Sequence, residues 1–200
     1  SAIIMKNTGS DYNTPLGAFS AANGDLRLVN VTAGHNGRSY LAYQKVPQAL
    51  NEFCKWLNTE RKKINKKDII AAYNLSIIAH YRLVTIHPWA DGNGRMSRLV
   101  MNMLQWEFGL IPIKVLKEQK ATYIQALIDA REKEDETIFP EVMLQLHNTN
   151  LKAEIAAFVT STGETNVTKE KHTQLTDRQV TILQTIQTNP HIAIPEMSRK

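Results

Sequence analysis

The sequence predicts a mainly α-helical bundle with one β-hairpin. Two observations carry this: apolar residues recur at three- and four-residue steps from Pro47 onward, and a short alternating, β-branched run lies in the otherwise irregular part before Tyr43. The chain has 200 residues, 42% of them hydrophobic and 22% charged, as in an ordinary globular domain with a single core.

The hairpin is expected between Asp25 and Tyr43. Leu26 to Val31 alternates, and Arg38-Ser39-Tyr40-Leu41 follows an Asn-Gly pair suited to a tight turn. The first helix should bury Leu50, Phe53, Trp56 and Leu57 and stop before the basic run Arg61 to Lys67, which reads as a solvated loop. Asp68 is placed to cap the second helix, whose Ile70, Tyr73, Ile77, Tyr81 and Val84 share a face until Pro88 breaks the pattern, leaving His87 at the end. The third helix should run from Asn93 to Phe108, with Leu99, Met103 and Trp106 buried and Gly109 closing it. Two further helices are expected, one containing Tyr123, Leu127 and Ala130, the other from Phe139 to Val159.

Residues 1–160 are expected to form the core domain, with its N-terminal portion truncated. A polar linker is expected over 161–174, and 175–200 would open a second unit, where Thr176-Asp177-Arg178-Gln179 has the form of a capping box. No internal repeat is visible.

The net charge of +5 raises the question of nucleic acid, but the lysines are dispersed rather than gathered in a stripe. No apolar run approaches the ~20 residues of a membrane helix and no signal peptide is visible, so the expectation is a protein without membrane partners. The single cysteine, Cys54, reads as a half-buried thiol, compatible with the cytoplasm.

Chemistry concentrates in His87-Pro88-Trp89-Ala90-Asp91-Gly92-Asn93-Gly94-Arg95-Met96-Ser97-Arg98. Gly92-Asn93-Gly94 lies between a helix that must stop and one that starts, so backbone N–H groups can converge on an anion at a helix N-terminus. Arg95 and Arg98, three apart, share one face of the following helix and suit phosphate oxygens. Asp91 is the candidate Mg²⁺ ligand, since that ion takes one or two carboxylates beside a polyphosphate. His87 can act as general base. A Gly-Asn-Gly turn or a histidine before proline alone would be an ordinary turn or cap. Their coincidence within twelve positions is what points to a site.

The segment resembles the Fic family signature His-Pro-Phe-x-Asp/Glu-Gly-Asn-Gly-Arg-x-x-Arg, matched except that Trp89 stands for Phe. The likeness extends over about Leu26 to Val159. It implies a Fic-type bundle with the hairpin as a flap over the active site, and transfer of AMP from Mg·ATP to a Ser, Thr or Tyr hydroxyl of a target protein. His87 would deprotonate the hydroxyl, Gly92, Asn93 and Gly94 would hold the α-phosphate, Asp91 would place Mg²⁺, and Arg95 and Arg98 would bind the outer phosphates. Asn102 and Tyr123 would lie toward the adenosine or serve the core, and Tyr40 and Leu41 would offer a strand edge to the target. His80 is expected to be a packed, hydrogen-bonded core residue.

The family's inhibitory pattern Ser/Thr-x-x-x-Glu-Gly/Asn, which restrains the second motif arginine, is not matched. Thr137 to Glu141 and Thr160 to Glu164 have the spacing, but Val142 and Thr165 follow. The restraint on Arg98 is therefore expected upstream of Ser1 or in another chain. Residues from Leu175 resemble the start of a winged helix, so DNA enters only through a completed one. Four other readings remain: removal of AMP, another Fic-type nucleotide or phosphodiester transfer, a hydrolase with His80, His87 and Asp91 as metal ligands, and a non-catalytic nucleotide-binding regulator of transcription.

Overall fold

A computed structural model describes residues 10–32, 39–65 and 67–162. Two compact units divide the chain, Ser1–Ala156 and Ala157–Lys200. Everything below concerns the first, apart from the end of the last helix. The expected linker beyond residue 162 and the 175–200 segment lie outside the described residues, whereas 161 and 162 still belong to that helix.

Strands β1 (Asp11–Thr14) and β2 (Gly17–Ser20) pair antiparallel, with Tyr12 opposite Phe19 and their rings stacked at 4.9 Å. Thr14 closes the turn: its Oγ1 accepts from the Leu16 N–H and donates to the Gly17 carbonyl. The regular hairpin therefore sits upstream of the place the sequence predicts. Between Asp25 and Tyr43 the described backbone contains only an isolated bridge, Thr32 to Ser39, together with a bond from the Tyr40 N–H to the Val31 carbonyl. In this stretch the Arg27 side chain, rather than a paired strand, donates to the Val29 and Leu41 carbonyls.

After a 3₁₀ turn (Tyr43–Lys45) come α1 (Val46–Lys63), α2 (Ile69–Ile86), α3 (Asn93–Glu107), a second 3₁₀ turn (Lys117–Gln119), α4 (Lys120–Glu132) and α5 (Ile138–Thr162). Helix α1 runs through Arg61, Lys62 and Lys63 instead of ending before them. Cations suit the negative end of a helix dipole, and Arg61 also meets Glu107 of α3 at 2.6 Å. Cys54 is exposed, not half-buried.

Helix α2 is capped as expected, the Asp68 carboxylate accepting from the Ala71 N–H at 2.9 Å. It is the central element, with an apolar cluster on each side. Tyr73, Ile77 and Tyr81 pack with Met101, Ile113, Tyr123, Phe139 and Met143, while Leu75, Ala79 and Leu83 pack with Phe53, Leu57, Trp89 and Leu104. This two-sided burial explains a composition that the sequence reading passed over. Over its 18 residues α2 reaches a mean hydropathy of 1.4, enough by length and composition to cross a membrane, yet half of it is buried inside the fold.

Helix α3 has the opposite phase from the one expected. Leu99, Met103 and Trp106 are 52%, 49% and 81% exposed, and Asn93, Ser97, Met101, Leu104 and Gln105 face inward. Three of the five inward residues are polar and all three are hydrogen-bonded. Ser97 donates to the Asn93 carbonyl; Gln105 donates to Ser76 and accepts from the Ile113 N–H. Satisfied polar groups can occupy a core face.

Candidate active site

The site is built where α2 hands over to α3. Proline at 88 disfavours helical backbone at the preceding residue, and His87 leaves α2 in the left-handed region, at φ 52° and ψ 60°. That conformation costs a non-glycine residue about 1–2 kcal/mol. Arg27 helps to hold it. Its Nε donates to the His87 carbonyl at 2.7 Å, Nη1 donates to the Val29 carbonyl at 2.7 Å, and Nη2 donates to the Leu41 carbonyl. Its own N–H donates to the Pro88 carbonyl. Arg27 is 1% exposed, and burial lowers its pKa. The sequence reading did not single it out.

Between Pro88 and α3 the chain is stapled reciprocally. The Asn93 amide nitrogen donates to the Trp89 carbonyl at 2.8 Å, and its amide oxygen accepts from the Trp89 N–H at 3.0 Å. The indole of Trp89 packs in the core and donates Nε1–H to the Gly24 carbonyl, a bond that phenylalanine could not make. Asn93 thus faces inward, and it offers an anion its backbone rather than its amide. Gly92 takes φ 83° as the cap of α3, whereas Gly94 is helical and has another need. A Cβ there would stand 3.3 Å from Arg98 Nη1.

The result is a cavity of about 270 Å³ lined by His87, by residues 90–95 and by Arg98. His87 Nδ1 lies 3.3 Å from the Val84 carbonyl, which can only accept, so the proton of the neutral ring is on Nδ1 and Nε2 keeps its lone pair. Burial, seconded by the charges of Arg27 and Arg131, lowers the His87 pKa from 6.5 to about 4, against the opposing pull of the Val84 bond and Asp91. Asp91 is exposed at the loop edge and pairs with Arg95 at 3.1 Å. One exposed carboxylate beside a phosphate loop fits the donor set of magnesium, which completes its shell with phosphate oxygens and water.

Other expected residues fall elsewhere. The Tyr40 N–H and the Leu41 carbonyl are engaged internally, so neither group offers a free strand edge. Tyr40 contributes its ring, which stacks on that of His87 at 3.9 Å and 21°, with the Arg131 guanidinium 4.9 Å from its centroid. Tyr40 and Arg131 also border a second, mostly apolar cavity of about 340 Å³, floored by Val84 and Thr85 of α2 and by Ile124, Leu127 and Ile128 of α4. Tyr123 lines neither cavity and is buried in the core, its hydroxyl 3.0 Å from His80 Nε2. Asn102 keeps a buried amide oxygen without a partner among the described residues. His80 is fully buried against Phe139 and does not join His87 and Asp91. No group of three potential metal-ligating side chains forms among the described residues.

This fold and this loop define a helix–loop–helix junction where a neutral histidine, a glycine-rich turn and two arginines line one cavity. The chain belongs to the Fic/DOC family, whose model matches residues 1–105. Over 83 residues it is 40% identical to proteins named "Protein adenylyltransferase Fic" from Drosophila melanogaster and Drosophila mojavensis, a stretch covering 42% of this chain and 16% of each relative. Among solved structures, it superposes on Fic-1 of C. elegans with a TM-score of 0.56 at 26% identity, covering 70% of this chain and 38% of the other. A Fic domain containing signaling protein from Bacteroides thetaiotaomicron gives 0.55 at 22% identity, covering 74% and 58%, a likeness of fold.

Proposed function

We propose that the chain transfers AMP from Mg·ATP to a Ser, Thr or Tyr hydroxyl of a target protein. The observation that carries this reading is the disposition of His87, whose Nε2 lone pair is free in the same cavity as the 92–94 backbone and Arg98. The names of the Drosophila relatives support the choice of adenylyl transfer.

In this reading the target hydroxyl gives its proton to His87 Nε2 while its oxygen bonds to the α-phosphorus. The bond from that phosphorus to the bridging oxygen breaks, and pyrophosphate leaves. Backbone N–H groups of Gly92 to Gly94 hold the α-phosphate at the start of α3, that of Gly92 after exchanging the Asp91 carboxylate to which it donates, and Arg95 and Arg98 take the outer phosphates. Asp91 would hold magnesium after exchanging its bonds to Arg95 and to the Gly92 N–H. The charge neutralisation that magnesium supplies when bound falls on the leaving pyrophosphate. The apolar cavity beside Tyr40 suits a flat base, with the Arg131 guanidinium at its edge. The test is incubation with α-labelled ATP and cell lysate: label should enter protein with the wild type, and not with His87→Ala or after chelation of divalent ions. Equal labelling by His87→Ala would remove the base assignment.

A further inference from the structure

The side chain of His87 is held more loosely than its backbone. Rotation of an imidazole about the Cβ–Cγ bond has broad, shallow wells. The bond from Nδ1 to the Val84 carbonyl measures 3.3 Å, beyond the usual range for N–H···O, so it sets the tautomer but fixes the ring plane weakly. Tyr40 supplies what that bond lacks. Its phenol lies over the imidazole with centroids 3.9 Å apart and planes 21° from parallel, and an imidazole turned out of that plane would drive its edge into the phenol.

Tyr40 is itself secured. Its N–H donates to the Val31 carbonyl at 2.9 Å, and the carbonyl of the next residue, Leu41, accepts from Arg27 Nη2. Arg27 Nε bonds the His87 carbonyl, so one guanidinium sets the backbone on both sides of the stack. From α4 the Arg131 guanidinium meets the same phenol, 4.9 Å from its centroid. A tyrosine serving only to fill the interior would join an apolar cluster. Tyr40 is half-buried and belongs to neither of the two clusters that the described residues form. We infer that Tyr40 is a positioning residue for His87: the phenol face fixes the imidazole plane in which Nε2 meets the target hydroxyl, and it shields that ring from water. This rests on the transfer proposed above. When the hydroxyl proton passes to Nε2 the imidazole becomes a cation, and the face of an aromatic ring attracts a cation, so the stack strengthens as the proton moves. The cover also bears on protonation. Burial is the largest cause of the lowered His87 pKa, with the charges of Arg27 and Arg131 acting in the same direction and the Val84 bond and Asp91 against it.

The experiment compares Tyr40→Phe, which keeps both ring faces, with Tyr40→Leu, which keeps only apolar volume. In transfer from α-labelled ATP, Tyr40→Leu should lower kcat roughly tenfold and Tyr40→Phe by less than about twofold. KM for ATP should change little in either, because leucine still walls the second cavity. Acid should slow the leucine variant below about pH 6.5, where the wild type stays level. Tyr40→Met, equally without a ring, repeats the test should the leucine variant fail to fold. Proton NMR gives a readout apart from turnover, with the His87 Cε1–H resonance assigned by its absence in His87→Ala. The phenol ring current should displace it upfield in the wild type and in Tyr40→Phe but not in Tyr40→Leu, whose His87 should titrate nearer its ordinary value. An intact kcat with only KM raised would make Tyr40 a cavity wall and overturn the inference, as would a His87 resonance that leucine leaves unmoved. If the resonance moves as expected while the wild type labels no protein, the hold on the imidazole stands and the proposed transfer fails.

Discussion

Arg27 and His87, 60 residues apart, are joined by a 2.7 Å hydrogen bond from guanidinium Nε to backbone carbonyl oxygen. The same guanidinium reaches Val29 and Leu41, so one buried cation ties both limbs of the loop carrying Tyr40 to His87, the proposed base. Arg27→Met removes the donors for three carbonyls but also removes a desolvated charge. The net loss of stability should be about 1–3 kcal/mol, read by denaturant unfolding. Arg27→Lys, with a point charge in place of a fork, should fall between the two. In both variants AMP transfer should drop by more than stability explains, since His87 and Tyr40 lose a common anchor. Unchanged transfer would mean that the anchor is dispensable.

Acid should destabilise the fold through its histidines. His80 and His87 have folded pKa values of about 3 and about 4, below the ordinary 6.5, and that of His147 is also lowered by burial. Between those values and 6.5 the unfolded chain binds more protons, so stability rises with pH in that window and is lost on descending through it. Each such histidine contributes a slope of about 1.4 kcal/mol per pH unit. Stability measured from pH 7 to 4.5 should therefore fall, and His80→Gln should flatten the curve by about one proton. The pH profile of kcat/KM should stay level below 6.5, toward the His87 value, wherever circular dichroism shows the fold intact. An inflection at 6.5 would count against a buried neutral base.

Gly94 offers a case in which stability and binding should move in opposite directions. Alanine is favoured over glycine inside a helix by about 1 kcal/mol, so Gly94→Ala should melt at the same temperature or higher. Its methyl group would meet Arg98 Nη1 at 3.3 Å and displace the guanidinium by a few tenths of an ångström. ATP affinity should fall several-fold while AMP affinity holds, as calorimetry would show.

Trp89→Phe would restore the residue usual at this place in the family signature, and it should still be mildly harmful. The bond from Nε1 to the Gly24 carbonyl is lost, leaving that oxygen without its indole donor, at a cost of about 0.5–1.5 kcal/mol. Thermal unfolding should register the change, with transfer activity nearly intact.

Much of this was legible in the sequence. Asp68 and Gly109 marked helix boundaries because capping is local chemistry, and His87 to Arg98 fall together because they occupy one junction. Helix α3 was misphased because its inward face carries Asn93, Ser97 and Gln105, whose burial depends on partners in other elements. Arg27 left one faint trace. It shares an alternating face with Val29 and Val31, where a cation is out of place unless something distant receives it. The Tyr40 stack on His87 joins residues 47 positions apart in number, and no short-range pattern encodes it.

The reciprocal staple between Trp89 and Asn93 closes the loop that follows His87 within the stretch of chain from α2 to α3, so the proposed proton acceptor and phosphate cradle belong to one local segment. Tyr40 and Arg131 approach that segment from elsewhere in the chain. Under the proposed transfer, exchange of the segments carrying Tyr40 and Arg131 would alter the second cavity while leaving the loop from His87 to Arg98 intact.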